Sequence, residues 1–502
     1  MMTPRLPVLA LVVSLLGAPP AAGAAEAEAT WDIPSLARIV QPMKHDMTGR
    51  LPLMLWNFPI PRDDRLVTMR EDGSLRRAID ILAERGIVPT VELGWEWTPA
   101  GALAMARTLQ EAGRPVYVLQ PDAELLQRGA WANAAAWVEG SDATRRNQAR
   151  RWPCLPLADS RPGAERVRNM LLPFKEAGIH VAGVWFDDEA LPHPWNGNFD
   201  AQRKSAACRT HYPPGVLDDF RRFDEWTGEL RTRLLVEIMA RPVRELFPDA
   251  LVGNYGESAS SARTPLDGNR PPRRLDPGLA LMPSAYANTN LLPRRLEHGE
   301  VATQEKADAI YFLFLMRRLG TSSANRQAGQ LLIPYLSRYT PDEPDPRFLQ
   351  PMSQRAFREV VWHAFLRGAD TIYVFNLGYP TRPQNVTPAF SFESVEDVRS
   401  VYDTLLAARQ FLDKGEPMNF AYPPLFGAEP VWSGLRLGDR CLVRTFTLGT
   451  AAATVEVPAF PGVTITLDAP PEGGTWIVHK DGRVEPWKMG SGPIFPAGEN
   501  WT

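Results

Sequence analysis

Between residues 51 and 377 the chain repeats one texture: a short apolar run, usually closed by Gly, Pro or Asn, then a stretch of helical periodicity. The runs are Leu51–Phe58, Ile87–Gly94, Pro115–Gln120, Val181–Glu189, Ala250–Tyr255, Ala280–Ala287, Leu331–Tyr339 and Thr371–Leu377. Most are apolar on both faces, as strands of a parallel sheet covered by helices must be. Between them, Leu217 to Arg241 places Leu217, Phe220, Phe223, Leu230, Leu234 and Ile238 near one stripe, with Pro242 expected to stop the helix. Ser353 is positioned to cap a second helix that turns Phe357, Val360, Val361 and Phe365 inward, with Gly368 just past its end. Alternating strands and helices imply an α/β fold, and eight repeats point to a (β/α) TIM-like barrel. A doubly wound sheet is the rival. It wants a Gly-rich phosphate loop after its first strand, and Trp56-Asn57-Phe58-Pro59 offers none.

After about residue 415 the helical periodicity disappears. Cys441–Leu448, Ala453–Val457, Val463–Leu467 and Thr475–His479 read as short strands separated by turns, so residues 415–502 form a small antiparallel, β-sandwich-like accessory domain. At the other end, Arg5, the apolar Leu6 to Leu16 and the small-residue Ala22-Gly23-Ala24 read as a signal peptide over residues 1–24. Residues 25–414 are then the barrel domain. The expected location is secreted or periplasmic, with no membrane anchor, because no stretch reaches the roughly 20 apolar residues of a spanning helix.

A formal net charge of −3 gives no case for nucleic acid. With 44% hydrophobic residues, 48 prolines and 37 glycines, the chain reads as globular and loop-rich. Only Cys154, Cys208 and Cys441 occur, which permits one disulfide in an oxidising compartment, most simply Cys154 with Cys208. The seven histidines show no paired-ligand spacing and no nucleophile elbow is present, so neither a metal nor a cofactor is expected.

Chemistry concentrates where the fourth run ends in acid, at Asp187-Asp188-Glu189. Strand side chains alternate, so Asp187 and Glu189 share a face about 7 Å apart along the chain, while Asp188 takes the other face. Two such carboxylates can push each other's pKa values apart, giving a proton donor beside an ionised partner, the division of labour in glycoside cleavage. Strand C-terminal ends are where a parallel barrel keeps its active site. The other ends supply Trp56 and Asn57; Glu92, Trp95 and Glu96; Asn254, Tyr255 and Glu257; Tyr286 and Asn288; Tyr335, Arg338 and Tyr339; and Phe375 and Asn376. Aromatic rings stack on pyranose faces while amides and acids bind hydroxyls, so this set suits a sugar cleft, although any single aromatic could equally be barrel core.

Laid out in order, these segments resemble the hyaluronidase family of glycoside hydrolases, discontinuously from about residue 51 to 412. Trp56-Asn57-Phe58-Pro59 is similar to the end of that family's first strand. Gly183 to Glu189 resembles its Asp-aromatic-Glu strand, and Phe247 to Tyr255 the strand after it. Ala280 to Thr289 resembles the next, with Ile333 to Tyr339 and Ala364 to Leu377 similar to the last two. The resemblance implies a retaining, substrate-assisted hydrolysis of β-linked N-acetylhexosaminides in a polysaccharide. Glu189 would be the general acid/base, and Asp187 would stabilise the substrate's acetamido group. Asp188, Tyr255, Tyr286, Asn288, Tyr335, Phe375, Asn376, Trp56 and Asn57 would bind substrate, with Tyr286 lining the acetamido pocket. Asp188 stands where the family has an aromatic residue, Phe375 where it has a tryptophan, and Gly256-Glu257-Ser258 replaces a Pro-Asp-Cys-Tyr stretch. Two alternatives stay open: a carbohydrate-binding barrel without turnover, and a glycosidase with Glu257 as protein nucleophile. Arg263, Arg270, Arg273, Arg274, Arg294 and Arg295 flank the strand carrying Tyr286; they are either solvated surface charges or a guide for an anionic polymer.

Overall fold

The computed structural model describes residues 30–56, 58–61, 63–93, 97–120, 125–131, 137–142, 148–188, 196–256, 275–341, 345–375, 387–421 and 429–487. The signal-like segment and Asn57, Trp95, Glu96, Glu189, Glu257, Arg263, Arg270, Arg273, Arg274 and Asn376 lie outside the described residues.

The first half contains strands β1 (Leu53–Leu55), β2 (Ile87–Pro89), β3 (Val91–Glu92), β4 (Val116–Gln120), a hairpin of β5 (Trp137–Asp142) and β6 (Gln148–Pro153), and β7 (Val181–Phe186). It continues with β8 (Leu251–Asn254), β9 (Leu279–Ala280), β10 (Ser284–Asn288), β11 (Tyr335–Thr340) and β12 (Tyr373–Val374). Each of the eight apolar runs contains a strand of one of two parallel sheets, ordered β10-β11-β12-β1-β2 and β3-β4-β7-β8-β9. Neighbours follow chain order, with β12 returning to pair β1 through Met54↔Tyr373 and Leu55↔Val374. No reversal of strand order occurs within either sheet, so the doubly wound rival is not what the chain builds. Only Thr90 separates β2 from β3, and only Leu281-Met282-Pro283 separate β9 from β10, with Leu281 bridging parallel to Leu332.

Helices cover the strands. Ser353 Oγ accepts from Ala356 N–H at 3.2 Å, Phe357, Val360, Val361 and Phe365 are fully buried, and Gly368 follows at φ +90°. Pro242 does not end its helix. The helix Phe220–Leu234 passes into a π-helical turn, Leu235–Ala240, and resumes as Arg241–Leu246. The turn resets the hydrogen-bond register, so Pro242 falls in a first helical turn, where a missing N–H is tolerated.

Strands β13 (Glu416–Pro417), β14 (Val431–Leu437), β15 (Arg440–Phe446), β16 (Ala453–Phe460), β17 (Val463–Ala469), β18 (Gly474–His479) and β19 (Val484–Pro486) are antiparallel, as a β13-β14-β15-β18-β19 sheet and a β16-β17 hairpin. This sheet packs on the helix Gln354–Leu366. Arg444 grips the buried Glu359 with Nε 2.9 Å from Oε2 and lies over the Trp362 ring at 4.7 Å, and the Ser433 hydroxyl meets His363 Nδ1 at 2.8 Å. Cys154 and Cys208 are bonded, their Cα atoms 5.6 Å apart. Among the described residues, no helix is long and apolar enough to cross a membrane.

Candidate active site

The site is built on the C-terminal ends of the parallel strands. β7 stops at Phe186, and Asp187 N–H donates to the Gln120 carbonyl at 2.9 Å, tying the acidic segment to the end of β4. Asp187 is half-buried. On the other face, Asp188 is 0% exposed, and its peptide is clamped. Its N–H donates to Asn254 Oδ1 at 3.0 Å, while its carbonyl accepts from Asn254 Nδ2 at 3.1 Å and from Arg231 Nη2 at 3.2 Å. The Asp188 carboxylate lies 3.8 Å from Arg231 Nη1, both side chains being almost wholly buried. The resemblance implies a substrate-binding role for Asp188; here alternation turns its side chain toward the helix that carries Arg231. It anchors the segment that carries Asp187.

The aromatic strand ends converge. Tyr286 stacks on Phe375 with centroids 4.4 Å apart and planes 7° from parallel. Tyr255 lies 5.9 Å from Tyr286 and meets Tyr335 edge-on at 5.2 Å. Trp56 closes the group, 5.1 Å from Phe375 and 6.1 Å from Tyr335. Below it Tyr373, which the sequence reading did not single out, stacks on Tyr335 at 4.5 Å and shares a hydrogen bond with Thr90. Burial first, and then the Tyr255 and Tyr335 phenols and the Asp187 carboxylate, push Tyr286 well above the usual tyrosine range. Tyr335 rises for the same leading reason, with Tyr373, Asp187 and Tyr255 adding to it. Both stay protonated; the Tyr335 hydroxyl is buried without a partner in hydrogen-bond geometry among the described residues, and the buried Tyr286 hydroxyl has the Tyr255 phenol beside it. A buried donor without a partner favours an incoming acceptor, since leaving it unsatisfied costs about 1–3 kcal/mol.

Other candidates are engaged elsewhere. Glu92 ends β3, is buried and accepts from Trp97 Nε1 at 3.1 Å. Asn288 Oδ1 caps the turn Thr289–Leu291 by accepting from Asn290 N–H at 2.9 Å, so that side-chain oxygen already has a structural partner. Arg338 donates to the Met352 carbonyl and Tyr339 to that of Leu349, which ties both to the loop preceding the helix Gln354–Leu366. Arg294 is exposed and Arg295 half-buried beyond the end of β10. Sequence reasoning passed over Arg231. Its signal was a charged residue beside Leu230 and one turn from Thr227 and Leu234, on a face the structure buries. No group of three or more His, Cys, Asp or Glu among the described residues could hold a metal ion.

Fold and site together define an α/β protein with an acid-flanked aromatic site at the ends of parallel strands. No protein-family model matches the chain, and no curated protein does. The solved structures it resembles include α-L-fucosidase isoenzyme 2 from Paenibacillus thiaminolyticus, at 12% identity over 71% of this chain with a TM-score of 0.37. The chain spans about half the length of that fucosidase, 50%. A debranching enzyme from Nostoc punctiforme matches at 12% identity over 86% of this chain and 99% of its own, with a TM-score of 0.42. Bee venom hyaluronidase, in complex with a hyaluronic acid tetramer, matches at 13% over 64% of this chain and 90% of its own, with a TM-score of 0.36. Likenesses at this level carry no assignment of activity.

Proposed function

We propose that this protein is an exported glycoside hydrolase that cleaves β-linked N-acetylhexosaminides in a polysaccharide, with retention and by substrate assistance. The supporting observation is the juxtaposition of the half-buried Asp187 with two buried, protonated tyrosines inside an aromatic cage, Tyr286 beside the Tyr255 phenol and Tyr335 with no hydrogen-bond partner among the described residues. An acetamido group suits such a place: its carbonyl oxygen accepts from phenols, its N–H meets a carboxylate, and its methyl packs on rings. Asp187 orients that group so that its oxygen attacks the anomeric carbon. Glu189, two residues on, donates a proton to the departing glycosidic oxygen, then takes one from the water that opens the cyclic intermediate. Tyr255, Phe375 and Trp56 give the stacking surfaces, and the clamp on Asp188 fixes the segment that carries Asp187.

In this reading the two parallel sheets are halves of one eight-position barrel, joined across Thr90 and across residues 281–283, with residues 415–502 as an accessory domain. The reading of residues 1–24 as a signal peptide and the Cys154–Cys208 bond both suit an oxidising, exported setting. The test is inhibition by a thiazoline analogue of the cyclised acetamido intermediate, since such analogues bind far more tightly than substrate. Strong competitive inhibition with activity retained in Glu257→Ala is expected. A covalent glycosyl adduct on Glu257, trapped with a 2-fluoro sugar, would refute substrate assistance.

A further inference from the structure

A cavity of about 400 Å³ lies between the helices Pro99–Glu111 and Arg161–Glu176, over the ends of β3 and β4. Gln120 pairs with Phe186 in register, so alternation sends its side chain to the face opposite Asp187, behind the strand wall. There Gln120, 8% exposed, lines the cavity, and its Oε1 is buried with no hydrogen-bond partner among the described residues. Leu93, Leu103 and Phe174 give it an apolar wall with the Trp97 indole among them, and Thr98 and the exposed Arg166 add polar groups to the lining. Because Trp97 spends its N–H on Glu92, it offers the cavity an apolar ring. Asn169, exposed at the edge, offers an amide.

We propose that this cavity binds one N-acylated amino-sugar unit, separately from the strand-end site. A buried carbonyl oxygen asks for a donor, and an apolar, aromatic-walled chamber asks for a flat or methyl-bearing body. An acylamino pyranose combines the two, with N–H toward Gln120, acyl methyl and ring face toward Trp97 and Phe174, and hydroxyls toward Asn169 and solvent. The volume suits one ring and falls at the small end of ligand pockets. The choice of an amino sugar rests on the proposed function; the presence of a separate site does not.

The test is calorimetric titration of the full mature chain with N-acetylglucosamine and, separately, with glucose, for wild type, Met170→Trp and Gln120→Met. Met170 is half-buried at the cavity wall, so a tryptophan there fills the chamber from its solvent side. Two binding events are expected in wild type, one of which disappears in Met170→Trp. Gln120→Met should weaken that same event about tenfold, the worth of one buried hydrogen bond. Glucose, lacking the acylamino donor, should not occupy it. If the strand-end site does not bind amino sugars, a single event remains and is still lost in Met170→Trp, which separates the two claims. An isotherm unchanged in both variants, or equal binding of glucose, overturns the proposal. Should Met170→Trp fail to fold by circular dichroism, Gln120→Met decides alone.

Discussion

The Arg231–Asp188 pair offers the sharpest energetic prediction. Its nearest charged atoms are 3.8 Å apart, with side-chain exposures of 6% and 0%. At an effective dielectric of about 20, that separation corresponds to an attraction of roughly 4 kcal/mol. Arg231→Met removes it and leaves a carboxylate buried without its cation, which typically costs about 3–5 kcal/mol. Asp188→Asn, added to Arg231→Met, removes the stranded charge while Asn254 continues to hold the Asp188 peptide. The double variant should therefore recover at least about 2 kcal/mol relative to Arg231→Met alone. Urea unfolding of wild type, both single variants and the double variant, followed by circular dichroism, closes the cycle. Additivity within about 0.5 kcal/mol would mean that the two charges do not feel one another, and the anchoring argument would fall.

Two further outcomes follow from the same geometry. Tyr286→Phe deletes a buried hydroxyl whose nearest polar neighbour is the Tyr255 phenol, so unfolding free energy should change by no more than about 1 kcal/mol while turnover falls roughly 10- to 100-fold, the worth of one well-placed donor. A destabilised but fully active variant would make Tyr286 a core residue only. Asp397, on the helix Pro388–Leu406, is pushed up to about 7 by burial, against the lowering effects of Gln354, Arg358 and Arg338. Its folded pKa exceeds the unfolded one, so its contribution to stability is complete below about pH 4 and is lost as pH rises through about 7, on the order of 4 kcal/mol. Asp397→Asn should flatten the stability profile across that window, and an unchanged slope in pH-dependent denaturation would contradict the assignment.

Much of the fold was legible because parallel strands buried on both faces leave continuous apolar runs, and all eight runs carry strands. The antiparallel region after residue 415 was legible for a related reason: Ala453–Phe460 and Val463–Ala469 alternate exposed positions with half-buried or buried ones along most of their length. Pro242 misled because a π-helical turn, which has no reliable sequence mark, moved it into a first turn. At the site, alternation separated Asp187 from Asp188, but it could not say that the second face was filled by Arg231 from a helix more than 40 residues away. Asn288 illustrates the same limit: a strand-end amide can serve a turn as readily as a ligand, and the sequence does not show that its Oδ1 accepts from Asn290 N–H. Tyr373 escaped notice because its partner Tyr335 is distant in sequence, although the two strands are in register.

Hydrolysis that depends on Asp187 and Glu189 is read out by the release of reducing ends. The purified protein and its Glu189→Gln variant would be assayed on hyaluronan, chondroitin, chitin and peptidoglycan-derived glycans. The account predicts release from at least one N-acetylhexosamine polymer, falling about 10²- to 10⁴-fold in Glu189→Gln with melting temperature preserved. No release from any of these polymers, or activity within a few-fold of wild type in Glu189→Gln, would contradict it.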